Sequence, residues 1–269
     1  ILTNINLDII DLNRFRNMKL GTLQILEDRD YGDSIYIDPG QNNISINMNW
    51  EKWPMSEVRT LTQAEVPSDQ ELISIADSFI REYGINMDMY GPGEVVSREV
   101  MIAAEEVSEA YIPENYSVVY PLMLDGKTAS DQSGRKAGIS VEVNIRHKKV
   151  VYTGNISISG FESSKYNIET DEEKIIATAE KGGIYRFYDY PDATETIELE
   201  LGTPTLQLVR IWQRSQTKVG GEEMYVPSFV FPIIGGRSQD YFYRQNVIVP
   251  LVGEMYTDSV EPMPLLEGK

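Results

Sequence analysis

Cysteine is absent from the 269 residues. A disulfide framework, a thiolate metal site and a cysteine nucleophile are all excluded. Histidine is nearly absent. His147 stands alone, so an imidazole metal cluster has no second member and a Ser-His-Asp triad has one candidate base. No run of about 18 apolar residues occurs, the length that a helix needs to cross a bilayer. Positive charge is scarce: 24 Lys and Arg face 42 Asp and Glu, a net charge of −18. That balance disfavours nucleic acid and anionic membrane surfaces as partners. The excess is uneven, with thirteen acids against three bases over residues 68–134. Such a stretch is a solvated face, or a surface for a basic partner or for cations.

What is present describes a folded chain. The hydrophobic fraction is 41% and the charged fraction 25%, ordinary values for globular proteins. The length allows one large domain or two ordinary ones. Sixteen tyrosines, with Val and Ile in alternating runs, point to much strand. The first residue is Ile1 rather than Met; it is read as a cut end, with a signal peptide or membrane anchor expected before it.

The strongest helix signal covers residues 69–83. Ser68 and Glu71 form a capping box, and Leu72, Ile75, Ala76, Phe79, Ile80 and Tyr83 follow as one apolar stripe that ends at Gly84. A second helix is expected over 171–181, with Thr170 and Glu173 as the box, Ile175, Ile176 and Ala179 as the stripe, and Gly182 and Gly183 as the end. Strand-like alternation follows each helix: residues 116–124, 138–145 and 150–158 after the first, and 196–201, 205–212, 224–231 and 246–252 after the second. Arg146 to Lys149 reads as a tight hairpin turn, and residues 125–134 and 213–222 as longer hairpin loops. Three further strands are expected at 21–26, 34–38 and 44–50, closed by Trp50, Trp53 and Pro54. Residues 95–110 carry both periodicities.

These signals predict an α+β fold made of tandem units, each a helix packed on a curled antiparallel sheet, preceded by an N-terminal β segment. The expected boundaries are 1–67 for that segment and linker, 68–165 and 166–255 for the two units, and 256–269 for a tail.

A search for chemistry finds no catalytic set. His147 lies beside Arg146, Lys148 and Lys149, with no adjacent carboxylate to orient it as a base, and reads as an exposed turn residue. The acid pairs Glu105 with Glu106 and Glu222 with Glu223 are chain neighbours, which in a strand face opposite ways. The acidic loops Asp28 to Asp33 and Asp125 to Asp131 lack the EF-hand spacing and read as Asp-stabilised turns. No glycine cluster has the spacing that cradles phosphate. No cofactor, metal site or catalytic residue is expected. Two aromatic clusters carry arginines: Tyr185, Arg186, Tyr188 and Tyr190, then Tyr241, Tyr243 and Arg244. Tyr and Arg are favoured at binding hot spots, so these seven residues are the candidate partner surface.

The helix from Glu71 to Tyr83 with Gly84, the hairpin from Gly138 to Ile158, and the Glu223 to Pro232 strand with Tyr225 and Val226-Pro227 before an apolar run together resemble the PepSY and YycI-like bacterial extracytoplasmic domains. The resemblance covers residues 68–252. The Arg146 to Lys149 turn departs from it, since Asp or Asn with Gly is usual there. The resemblance implies a helix packed on an antiparallel sheet, often in tandem, and a role in modulating other envelope proteins. The expected function is therefore a non-enzymatic extracytoplasmic binding or regulatory module engaging another envelope protein. The rivals are a carboxylate-based polysaccharide hydrolase and a structural subunit of a surface assembly.

Overall fold

The structure is a computed structural model, and it describes residues 21–54, 60–96, 112–158, 160–184, 198–214, 221–236 and 245–252. Among these residues are thirteen strands and two α-helices. The chain divides into two compact units, residues 1–126 with 136–161, and residues 127–135 with 162–269.

The first unit is built on a seven-stranded antiparallel sheet. Its strands are β1 (Leu23–Leu26), β2 (Asp33–Asp38), β3 (Asn43–Met48), β4 (Glu94–Val95), β5 (Asn115–Pro121), β8 (Gly138–Asn144) and β9 (Lys149–Ser157). They lie in the order β1-β2-β3-β9-β8-β5-β4. Helix α1 (Asp69–Glu82) packs on β4, β5, β8 and β9. Alternation decides which side chains meet it: Tyr116, Val118 and Tyr120 of β5, and Ile139, Val141 and Val143 of β8, are buried at every second position. Leu72, Ala76 and Ile80 of α1 join them in one core, each large apolar side chain contributing roughly 1.5–3 kcal/mol by leaving water. The predicted cap is present. Ser68 Oγ accepts from Glu71 N–H, and Glu71 Oε2 accepts from Ser68 N–H at 2.9 Å. Two polar contacts also pin α1. Tyr120 Oη donates to Asp77 at 2.7 Å, and Tyr83 Oη donates to Asp33 at 2.5 Å. A short strand β6 (Met123–Leu124) follows β5, held by Met123 N–H on Met89 O at 2.7 Å.

The second unit holds β7 (Lys127–Ser130), β10 (Glu200–Leu201), β11 (Thr205–Arg214), β12 (Gly221–Gly235) and β13 (Asn246–Pro250), with helix α2 (Glu172–Glu180). β11 and β12 form a long antiparallel hairpin, β13 pairs β12, and β7 runs parallel to β11. Val247 and Val249 face a core with Ile175 and Ala179 of α2, while Ile248 faces a second core with Val209, Val226 and Val230.

The expected α+β architecture of tandem helix-on-sheet units is overturned. The protein is mostly β, with one large antiparallel sheet and one mixed sheet, and the two strand sets are not copies of each other. The N-terminal strands do not precede the first sheet but belong to it, because β3 pairs with β9. Residues 127–130, expected within a hairpin loop, form β7 and supply a parallel pairing that the first sheet lacks. The cap of α2 also moves by one residue. Asp171, not Thr170, accepts from Lys174 N–H at 3.3 Å, while Glu169 Oε1 takes the N–H groups of Thr170 and Asp171. Residues 97–111, which include most of the segment with mixed periodicity, lie outside the described residues. No helix among the described residues is long and apolar enough to cross a membrane.

Candidate functional site

The densest chemistry of the first unit gathers where three turns meet: the β1–β2 turn (27–33), the turn after β3 (49–53) and the β8–β9 hairpin turn (145–148). The first two are fastened together by backbone geometry. Asn49, only 8% exposed, donates its N–H to Gly32 O at 2.9 Å and its Nδ2 to Glu27 O at 3.0 Å. Tyr31 N–H donates to Lys52 O and Trp53 Nε1 to Gly32 O, both at 3.0 Å. Lys52 also pairs with Asp28. Glycine is needed at 32, because a Cβ there would lie 2.8 Å from the carbonyl oxygens of both Glu27 and Arg29.

Trp50 opens the 3-10 turn from Trp50 to Lys52, and its side chain is 77% exposed. Its neighbour Trp53 is folded in, forming a triangle of edge-on rings with Tyr31 and His147 at centroid distances of 5.2–5.7 Å. Lys149 Nζ sits over the Tyr31 ring, 5.0 Å from its centroid. His147 is thus half-buried among aromatics rather than an exposed turn residue. Asn144 Oδ1 accepts from the N–H groups of Arg146 and His147. Lys148 takes the left-handed position, φ 50°, that Gly fills in the usual turn.

Carboxylates crowd the same turns, and Glu27, Asp28 and Asp33 are committed to structure. Burial pushes the Asp33 carboxyl above its ordinary range, and the Tyr83 hydrogen bond only partly offsets this. Burial acts on Glu27 in the same direction, but Arg29 at 2.7 Å and the N–H of Asp33 at 3.1 Å hold it below the usual range. Tyr83 and Tyr120 are both raised, first by burial and then by their carboxylate partners. Opposed shifts on two neighbouring acids are a mark of acid–base sites. Here Asp33 is 7% exposed and Glu27 is held by two donors, so neither presents a free oxygen to a substrate.

The sequence-derived candidates scatter. Tyr185, Arg186, Tyr188, Tyr190, Tyr241, Tyr243 and Arg244 lie outside the described residues, as do Glu105 and Glu106. Glu223 is 3.8 Å from Arg210 and accepts from Tyr225 Oη at 3.2 Å. In the second acidic loop, Asp131 Oδ1 accepts from Ser133 N–H, Ser133 Oγ and Arg135 N–H, so it anchors a turn. No group of three or more His, Asp or Glu among the described residues is placed to hold a metal ion. In the sequence Trp50 reads only as the close of a strand segment. The available signal was its setting, an indole between Asn49 and Glu51 in a polar turn, with no apolar neighbour in the chain to help bury it.

No protein-family model and no curated protein matches the chain. A solved structure of an uncharacterized protein from Eubacterium rectale ATCC 33656 is similar at 10% sequence identity and a TM-score of 0.37, over 86% of this chain and 74% of that one.

Proposed function

We propose that this chain is a non-enzymatic binding module that engages another protein of the bacterial cell envelope, and that the turn end of its first unit is the engaging surface. One observation carries the reading. An exposed tryptophan is displayed on a turn that four hydrogen bonds to the neighbouring turn hold in place. A rigid aromatic anchor loses little conformational freedom on binding, and Trp is among the residues most enriched at interface hot spots. The envelope setting comes only from the sequence resemblance of residues 68–252 to PepSY and YycI-like domains, whose tandem helix-on-sheet arrangement the structure does not share, and that span leaves out the Trp50 surface. The hydrolase reading draws no support from Glu27, whose two oxygens accept from Arg29 and from Asp33 N–H, or from Asp33, which is 7% exposed and accepts from Tyr83.

The test is site-specific photo-crosslinking in whole envelopes. A photoreactive residue replaces Trp50, and a control variant carries it at Ile176, which is 45% exposed in the second unit. A discrete protein adduct that forms from position 50 and not from position 176 is the expected result. The same adducts from both positions, or none from position 50, would remove the surface from consideration.

A further inference from the structure

We infer that the segment of the partner seated on Trp50 is basic, and that it lays an Arg or Lys side chain across the indole face. This rests on the binding surface proposed above and adds the chemical class of what it binds. The two fastened turns, residues 27–33 and 49–53, carry five carboxylates (Glu27, Asp28, Asp30, Asp33 and Glu51) against two cations. Both cations are already engaged: Arg29 lies 2.7 Å from Glu27, and Lys52 pairs with Asp28. Asp30 and Glu51 are exposed and make no ion pair among the described residues. Both also act on Lys52 through space, but five carboxylates against two cations leave the turns that carry Trp50 with an excess of negative charge.

That combination selects a cation. Indole is the best of the aromatic side chains at holding one through its quadrupole, and nearby carboxylates add a second attraction. The same surface performs this chemistry internally, where Lys149 Nζ rests over the Tyr31 ring. Lys148 and Lys149 of the hairpin oppose a basic segment running toward His147, which directs the partner's cation to the Trp50 end. An acidic or purely apolar partner would leave Asp30 and Glu51 unmatched.

General attraction of any cation to a chain of charge −18 must be separated from a seat on Trp50, so the deciding variants keep the charge unchanged. The probes are a ten-residue Gly/Ser peptide bearing three arginines and its isosteric citrulline counterpart, titrated calorimetrically against the full chain at physiological salt. The arginine peptide is expected to bind the native protein about tenfold more tightly than Trp50→Ala. Trp50→Tyr should recover most of that loss, and the citrulline peptide should not bind. Equal affinity of Trp50→Ala and the native protein for the arginine peptide would overturn the inference. Equal binding of the citrulline peptide, or no binding of the arginine peptide, would do the same. A position-50 crosslink obtained alongside any of these outcomes would leave the binding module standing with a different partner chemistry. Absence of the crosslink would remove the surface itself.

Discussion

Helices α1 and α2 both start on a side-chain cap and both run out into glycine, yet what lies beyond each glycine differs. At Gly84, with φ 61°, a Cβ would meet nothing within 4 Å; at Gly183, with φ 70°, it would lie 2.1 Å from the carbonyl oxygen of Ile248. The first glycine supplies only a left-handed backbone. The second also lets the chain press against β13, where Ile184 N–H donates to the same oxygen at 3.0 Å. Length explains the difference. Fourteen residues give α1 three buried apolar side chains and two phenol–carboxylate pins to the sheet. Nine residues give α2 only Ile175 and Ala179, and its exit is tied through the backbone instead. Two segments with one local grammar are thus held by different tertiary means.

Alanine at the two glycines is the harshest way to break this comparison. Gly183→Ala should cost roughly 3–5 kcal/mol, because backbone strain adds to a clash that no side chain can relieve. Gly84→Ala should cost about 1 kcal/mol, the price of the left-handed conformation alone. Thermal unfolding of the two variants measures the contrast, and equal losses would mean that α2 does not depend on its exit. Leu72→Ala comes next, at about 3 kcal/mol for a side chain that is 1% exposed in a fourteen-residue helix. Ile175→Ala, 7% exposed on the shorter stripe, should cost less in the same denaturant titration.

The cores can be compared through their buried hydroxyls. Ser228 is fully buried in the second unit, and its Oγ donates to Val226 O at 3.0 Å. Thr153 is fully buried in the first, facing Val141 and Ile46, and its Oγ1 has no hydrogen-bond partner among the described residues. Thr153→Val should therefore stabilise by about 1 kcal/mol, since it removes an unsatisfied polar group at constant shape. Ser228→Ala should destabilise instead. Unfolding midpoints that moved in the same direction would contradict the distinction.

A smaller effect, readable by its pH dependence, concerns Asp33. Its folded carboxyl titrates above the unfolded one, so its stabilising influence is present in acid and is lost as pH rises through the folded value. Asp33→Asn still offers Tyr83 an acceptor and carries no charge. It should gain stability relative to the native chain at pH 7, and the gain should shrink as the pH falls toward 4. A pH-independent difference in unfolding free energy would show that the carboxylate's burial is not the cause.

The sequence made α1 legible because its cap, stripe and glycine all agree, and local agreement of that kind is rarely overridden. The cap of α2 differs by one residue from the sequence expectation because Thr170 and Asp171 are both good cap formers, and Glu169, which takes the N–H of each, decides between them. Most strands were visible through their alternation. Their pairing was not, since Ile44 meets Ile156 and Leu208 meets Ala129 across long stretches of chain that leave no local trace. Alternation alone therefore reads three strands of the seven-stranded sheet as a separate N-terminal segment and β7 as part of a loop. At the site, Trp50, Trp53, His147 and the Asp28 to Asp33 loop are each visible in the sequence as separate features. Their convergence depends on hydrogen bonds between residues about twenty apart and on the β8–β9 hairpin, which periodicity does not encode.

The smallest expected effect on stability separates the two tryptophans of one turn. Trp53 donates its Nε1 to Gly32 O and packs edge-on against Tyr31 and His147, so Trp53→Ala removes a hydrogen bond and two ring contacts and should lower the unfolding midpoint clearly. Trp50 lies three residues away and is 77% exposed. Trp50→Ala should leave the midpoint unchanged, because folding removes little of that ring from water and its loss opens no cavity. A residue that contributes nothing to the fold, yet is held in place by a turn bolted to its neighbour, is kept for something outside the fold. A marked fall in the Trp50→Ala midpoint would instead make the indole a structural part of the turn, and the case for a displayed anchor would go with it.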